Sequence, residues 1–131
     1  MQRGLIHHIE LYVTDLNRSV NFWGWFLKDL GYTLFQSWEG GQSWKFNETY
    51  IVFVQVEERF MDIPYHRCRA GLNHLAFHAD SRQDVDDMTK KLEDKGVKIL
   101  YLDKHPFAGG KGYYAVYFED PDRIKVELVA P

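Results

Sequence analysis

The sequence has a single cysteine, no long apolar run and no excess of positive charge, and each of these absences excludes a class of protein. Cys68 cannot form an internal disulfide, which indicates a reducing compartment. No apolar run approaches the ~18 residues of a membrane span, and the N-terminus lacks the apolar stretch of a signal peptide. The net charge of −3, with both signs interspersed, lacks the basic footprint of a nucleic-acid-binding surface. We therefore expect a soluble, cytoplasmic protein without a nucleic-acid or membrane partner.

The first 57 residues contain a strand–helix–strand–strand–strand pattern. Hydrophobic residues make up 45% of the chain, which is ample for a packed core in one domain of 131 residues. In residues 5–13 the odd-numbered positions form the apolar face, and the even-numbered positions, which include His8 and Glu10, lie on the other face. Apolar residues at helical spacing follow to about residue 30, and Gly31 ends the helix. Three more strands are predicted at 32–38, 42–46 and 49–57.

The same pattern recurs in the second half, which indicates a tandem duplication. A strand is predicted at 71–77, a helix at 82–95 that Gly96 ends, and further strands at 98–102, 113–118 and 124–129. His8 precedes Gly31 by 23 residues and His74 precedes Gly96 by 22, so a single deletion relates the two halves. The single domain 1–131 would thus consist of module one at about 4–57, a connector at 58–69 and module two at about 70–131.

Each module carries a histidine on its first strand and an oxygen-bearing side chain on its last. His8 and His74 occupy equivalent positions, and Gln55 aligns with Glu127 when "VQV" is laid over "VEL". We expect all four side chains to face away from the helices. If the sheet curls into a cup, two imidazoles, one carboxylate and one amide carbonyl suit one divalent ion of zinc, nickel, cobalt, manganese or iron(II).

Three stretches, "HHIELYVTDLNRSVNFW", "GLNHLAFHAD" and "YFEDPDRIKVELV", resemble the recurring motifs of the vicinal-oxygen-chelate superfamily, which includes glyoxalase I, methylmalonyl-CoA epimerase, fosfomycin-resistance enzymes, extradiol dioxygenases and bleomycin-resistance proteins. The resemblance implies an α+β fold in which two βαβββ modules form an open, cup-shaped β-barrel around a metal, with helices outside. By motif, the ligands of the family fall on His8, His74 and Glu127. Gln55 could supply the fourth ligand, or Phe53 aligns with it and three protein ligands remain.

The resemblance also implies a reaction. Members of the family act as lyases, isomerases or epimerases on small substrates whose vicinal oxygens chelate the metal, and the ion stabilises an enediolate or oxyanion. Glu127, or Glu10 on the face of His8, could act as the base. Four aromatic or imidazole side chains are candidates to line the substrate pocket: Trp44, Phe53, His78 and Tyr117.

Two other functions stay open on the sequence. The set of His8, His74 and Glu127 also matches the two-histidine-one-carboxylate arrangement of iron(II) dioxygenases, and Tyr117 precedes Glu127 by ten residues, as in extradiol enzymes. Bleomycin-resistance-like members instead bind a drug without metal or turnover, but they typically lack this ligand set.

The resemblance further implies a homodimer. In small members of the family, His8 and Gln55 of one chain would meet His74 and Glu127 of the other, and the sequence leaves open whether the cup closes within one chain or between two. Finally, Arg123 stands where the family's "DPDGN" turn has glycine, so we expect this turn to be built differently.

Overall fold

The first strand of each module pairs in parallel with the last strand of the same module. The computed structural model describes residues 3–131 and contains two compact units, of which the first ends at Pro64 and the second spans Tyr65–Pro131. The first unit contains β1 (His8–Val13), α1 (Leu16–Leu30), β2 (Thr33–Trp38), β3 (Gly41–Phe46) and β4 (Thr49–Gln55), followed by a short 3₁₀ turn at Glu58–Phe60. The second unit contains β5 (His74–His78), α2 (Arg82–Asp94), β6 (Ala115–Glu119) and β7 (Lys125–Val129).

The two sheets share one topology, which confirms the predicted α+β class. The first sheet has the order β1-β4-β3-β2 and the second has the order β5-β7-β6. In each, the first and last strands are parallel and the remaining pairs are antiparallel. Between the two parallel strands, the chain passes through the helix, which covers one face of its own sheet, and then through the antiparallel strands.

Helix α1 begins and ends where its capping residues require. The Asp15 side chain accepts a hydrogen bond from the Arg18 N–H at 3.2 Å, and Gly31 adopts a left-handed φ of 104°. The apolar stripe of α1 packs on the first sheet, where the Trp23 and Phe53 rings stack at 5.1 Å. In the second unit Ser81 caps α2, and Gly96 follows its end with a φ of 74°.

The predicted strand at 98–102 is wrong. Ile99 makes one isolated bridge to Phe118, and Tyr101 turns the chain away with a φ of 58°. A left-handed residue ends a strand because it breaks the alternation of the backbone hydrogen bonds. The segment that follows, to Tyr113, lies beside the site described below.

The turn that contains Arg123 keeps a glycine-like conformation. Arg123 has a φ of 65°, and Asp120 stabilises the turn because its Oδ1 accepts from the N–H groups of Asp122 and Ile124, both at 2.8 Å. We expected a differently built turn, and this expectation is wrong for the backbone conformation. Arg123 adopts the left-handed conformation that favours glycine, at some cost in free energy. Its guanidinium also donates to Glu119 at 3.0 Å.

Candidate metal and substrate site

A histidine and a carboxylate meet on the face of the second sheet opposite to α2. In the register of β5 and β7, Ala76 pairs with Glu127, so His74 and Glu127 lie on one face and are diagonal neighbours. His74 Nε2 is 3.0 Å from Glu127 Oε1. This is the face that the alternation of apolar residues in β5 and β7 predicts.

Glu127 is a buried carboxylate with a partner on each oxygen. Its side chain is 2% exposed, and Tyr113 donates a short hydrogen bond to Oε2 while His74 contacts Oε1. A buried anion without such partners would cost several kcal/mol. The contacts with Tyr113 and His74, and not water, therefore hold the Glu127 side chain in place.

The hydrogen bonds of His74 leave a place for a cation. Its Nδ1 is 2.7 Å from Asn73 Oδ1, which can only accept, so Nδ1 carries the proton. A neutral ring then points the lone pair of Nε2 at a carboxylate oxygen, and this contact is favourable only with a proton or a metal ion between the two atoms. An imidazole nitrogen and a carboxylate oxygen are ligands that first-row divalent metals accept. The pair therefore fits the metal that the sequence predicts.

The pair supplies only part of a metal site. Among residues 3–131, no three His, Cys, Asp or Glu side chains come together as a metal centre. A divalent ion would therefore need at least one ligand beyond His74 and Glu127, since three protein ligands are the usual minimum in catalytic sites.

An open cavity of about 460 Å³ adjoins the two side chains, which is within the ~300–1,000 Å³ of small-molecule sites. Lys104 and Lys125 contribute positive charge, and the Lys125 ammonium lies 5.0 Å and 5.2 Å from the ring centres of Tyr101 and Tyr117. The remaining lining residues are His74, Glu127, Ala108, Gly109 and Tyr113. A cavity with two ammonium groups favours an anionic occupant.

Two tyrosines in the cavity keep their protons at neutral pH. The hydrogen bond to Glu127, with burial and the charge of the same carboxylate, raises the pKa of Tyr113 to about 12. Burial, and then the Glu127 charge, raise the pKa of Tyr117 as well. Both hydroxyls are therefore hydrogen-bond donors throughout the physiological range: Tyr113 donates to Glu127, and the Tyr117 hydroxyl is suited to an oxyanion.

In the first unit, His8 lies on the exposed face of β1, as its alternation predicts. The His8 ring stacks on Tyr50, its partner in the register of β1 and β4, with 4.8 Å between ring centres. His7 precedes the strand, and its Nδ1 is 2.9 Å from Nδ1 of His8. Glu10 lies on the same face of β1 and is exposed, and its role as a base stays a prediction.

The prediction that Gln55 faces away from the helix is wrong. Gln55 pairs in register with Val13, on the face opposite to His8. Its Oε1 accepts from the Leu16 N–H at 2.8 Å and its Nε2 donates to the Thr14 carbonyl at 2.9 Å. These bonds satisfy backbone groups at the start of α1, where an N–H has no partner within the helix. We therefore leave Gln55 out of the proposed ligand set.

The variant Gln55→Glu tests whether residue 55 stabilises the start of α1 or binds the metal. A carboxylate cannot donate to the Thr14 carbonyl, so we expect a loss of about 1–3 kcal/mol in the free energy of unfolding and no change in metal affinity. Denaturant unfolding and a metal titration measure the two quantities, with Gln36→Glu on the exposed strand β2 as the matched control. A rise in metal affinity with unchanged stability would instead make residue 55 a ligand.

Of the four predicted pocket residues, three do not line the cavity and Tyr117 does. Phe53 is fully buried against Trp23. Trp44 also lies on the helix side, because its ring would be 3.3 Å from a Cβ atom placed on Gly24 of α1. His78 is exposed at the end of β5 and does not line the cavity, whereas Tyr117 is 7% exposed and does.

Tyr113 is a lining residue that the sequence analysis missed, whereas Lys104 lies beside a glycine-rich segment where a lysine could be expected to contact an anionic substrate. Tyr113 and Lys104 reach the cavity through the irregular segment before β6, whose path no periodicity predicts. Lys125 and Glu127 are two residues apart on β7, so their position on the same face follows from the sequence. Asn73 could also have been found, because it directly precedes His74 as His7 precedes His8.

The chain matches one family model and is similar to several known proteins. Residues 5–128 match the model of the Glyoxalase/Bleomycin resistance protein/Dioxygenase superfamily. The chain is 64% identical to the uncharacterized protein YqjT of Bacillus subtilis over 96% of this chain and 98% of that protein. It is 30% identical to the glutathione transferase FosA of Serratia marcescens, over 94% and 78% respectively. A solved glyoxalase-like protein from Bacillus halodurans is 56% identical, covers 98% of this chain and 97% of its own, and superposes with a TM-score of 0.97.

Proposed function

The chain belongs to the Glyoxalase/Bleomycin resistance protein/Dioxygenase superfamily, and on this basis we propose that it is a metal-dependent enzyme that acts on a small anionic substrate with adjacent oxygen atoms. The observation that carries the proposal is the contact between buried Glu127 and half-buried His74 at the edge of a cavity with two lysines. Such a carboxylate is costly to bury, so its retention beside a histidine and an open cavity favours a ligand role.

The proposed ligands are His74, Glu127 and His8, with one divalent ion per site. Because small members of the family pair, we propose a homodimer in which His8 of a second copy completes the set. When bound, the ion would supply Lewis acidity that stabilises negative charge on a substrate oxygen.

The other side chains of the cavity would bind the substrate and stabilise developing charge. Lys104 and Lys125 attract and orient the anionic group of the substrate. The Tyr117 hydroxyl donates to an oxygen on which charge develops, while the Tyr113 hydroxyl donates to Glu127 and holds that side chain in place. Gly109 leaves the room for this, since a Cβ atom there would clash with the Tyr113 ring and lie 2.6 Å from the Tyr117 hydroxyl.

The reaction we favour is an isomerisation, epimerisation or lyase reaction through an enediolate. Proton abstraction next to a carbonyl needs a base, and Glu127 is the single carboxylate among the described residues that line the cavity. The same oxyanion-stabilising set would also serve a group transfer. The 30% identity to a protein named as a glutathione transferase favours that second candidate, in which an external thiol is the nucleophile and no carbon acid is deprotonated.

The test begins with protein stripped by a chelator and loaded with one equivalent of manganese, nickel, zinc, cobalt or iron(II). We expect turnover in one of two assays, isomerisation of a hemithioacetal or addition of glutathione to a small anionic epoxide. Turnover in the first assay supports the isomerase and turnover in the second supports the transferase. Oxygen uptake with a catechol by the iron(II) form would replace both with a dioxygenase, and tight binding of a drug by metal-free protein without turnover would favour sequestration.

The anionic substrate class has its own matched pair of variants. Lys104 lines the cavity, whereas Lys111 in the same segment does not. We expect Lys104→Met to raise KM about tenfold, the equivalent of ~1.4 kcal/mol, and Lys111→Met to leave KM unchanged. Equal effects of the two variants would remove the lysine-bound anion from the proposal.

A further inference from the structure

The residue directly before the strand histidine of each module contacts the Nδ1 atom of that histidine. His7 Nδ1 lies 2.9 Å from His8 Nδ1, and Asn73 Oδ1 lies 2.7 Å from His74 Nδ1. His7 and Asn73 are different residue types at equivalent positions of the duplication. Each is exposed, so neither contact is a by-product of core packing.

These contacts decide which ring nitrogen can bind a metal. A neutral imidazole carries one proton, so a proton on Nδ1 leaves the lone pair on Nε2. Asn73 Oδ1 can only accept, and it therefore selects the form of His74 whose Nε2 faces Glu127. Outer hydrogen bonds of this kind fix the tautomer and orientation of ligating histidines.

The geometry allows the same choice in the first module. His7 lies before the start of β1, so its ring is free of the strict alternation of the strand and reaches the face of His8. Both rings contact Tyr50, His8 stacked at 4.8 Å and His7 edge-on at 5.4 Å. If His7 Nδ1 accepts, His8 Nδ1 carries the proton and the Nε2 atom of His8 is a ligand.

We propose that His7 and Asn73 are positioning residues that hold His8 and His74 in the Nδ1–H form and so present Nε2 of each ring to the metal. The proposal rests on the proposed function, because it assumes that both histidines are ligands. The duplication thus repeats a ligand together with the residue that orients it.

The experiment measures zinc affinity by competition with a chromophoric chelator. We expect His7→Ala and Asn73→Ala each to weaken zinc binding about 10- to 100-fold, the usual effect of losing such an outer partner. His7→Asn places the acceptor of module two in module one, and we expect it to keep most of the wild-type affinity. His66→Ala, which removes another exposed histidine, is the control and should have no effect.

A second readout is the ¹⁵N spectrum of histidine-labelled, zinc-loaded protein. We expect Nδ1–H protons on His8 and His74 and zinc-induced shifts at their Nε2 atoms, with the Nδ1–H signal of His8 lost to exchange in His7→Ala. Zinc-induced shifts at Nδ1 of His8 or His74 would overturn the proposal, whether or not a variant folds poorly.

The metal site and the positioning role can be overturned separately. If His8→Ala and His74→Ala keep zinc, the proposed metal site is wrong. If they lose zinc while His7→Ala and Asn73→Ala bind it as tightly as the wild type, the metal site stands and the positioning role is wrong.

Discussion

We expect Glu127→Gln to abolish metal binding and activity while the protein stays folded. The amide keeps the shape of the side chain, accepts from Tyr113 through its oxygen and donates to Nε2 of His74 through its nitrogen. Because a neutral amide is less costly to bury than a carboxylate, the free energy of unfolding should not fall. Metal affinity should fall by more than the ~10- to 100-fold that the loss of an outer-shell partner costs, since a charged ligand itself is removed.

The matched control is Glu119→Gln, the same change on the neighbouring strand. Glu119 accepts from Arg67 at 2.6 Å and from Arg123 at 3.0 Å. Burial acts to raise the pKa of Glu119, but the hydrogen bonds and charges of Arg123 and Arg67 outweigh it and lower the pKa. Its stabilisation is therefore present above the ordinary carboxyl pKa and is lost as the pH falls through the lowered value.

The two glutamine variants should consequently show opposite behaviour. Glu119→Gln loses about 1–3 kcal/mol of stability at neutral pH and keeps its metal, whereas Glu127→Gln keeps its stability and loses its metal. Metal analysis of the purified proteins and denaturant unfolding at pH 7 and pH 4 measure both quantities. Stoichiometric metal of unchanged affinity in Glu127→Gln would contradict the ligand assignment.

Mixing two inactive variants should restore activity. His8→Ala removes one ligand, and His74→Ala removes another. If each site takes His8 from one copy and His74 from the other, a mixed dimer has one site with both defects and one site with none. Random mixing of equal amounts would then recover about a quarter of the wild-type sites, because half of the dimers are mixed and each has one intact site.

The control for this experiment is a mixture of His74→Ala and Glu127→Gln. In the proposed dimer, His74 and Glu127 of each site come from the same chain, so every site carries one of the two defects. No combination of the two chains therefore restores a complete set. We expect no activity above that of the separate variants, measured after the chains are unfolded and refolded together. Recovery in neither mixture, with dimers shown by light scattering, would place all three ligands in one chain.

The faces of the candidate ligands were predicted better in the second sheet than in the first, for a physical reason. In β7, Lys125 and Glu127 alternate with Val126 and Leu128, so polarity marks the two faces unambiguously. In β4, Ile51, Val52 and Phe53 are all buried, and a strand that is apolar on both faces has no alternation to read. The face of Gln55 was therefore inferred from the alignment of the modules, and the observed register contradicts it.

The rest of the site depends on contacts that are distant in sequence. The hydrogen bond between Tyr113 and Glu127 exists because an irregular segment returns to β7, and Tyr101 with its left-handed conformation sets the path of that segment. Sequence periodicity describes regular elements and says nothing of such a path. The ligand candidates His74 and Glu127 were accessible to prediction because both lie on strands, where direction follows from position.

Neither described helix is long and apolar enough to span a bilayer.

The family, the α+β fold and the paired side chains of the second unit all rest on features that the sequence and the structure share. The metal, the reaction and the homodimer stay predictions.

Anomalous diffraction at the absorption edge of the bound metal, from crystals of metal-loaded protein, tests the central claim most directly. We expect one peak per chain, bonded to Nε2 of His74 and to a carboxylate oxygen of Glu127, with His8 of a second copy as the next protein ligand. A protein that takes up no metal, or a peak remote from these two atoms while their 3.0 Å hydrogen bond persists, would contradict it.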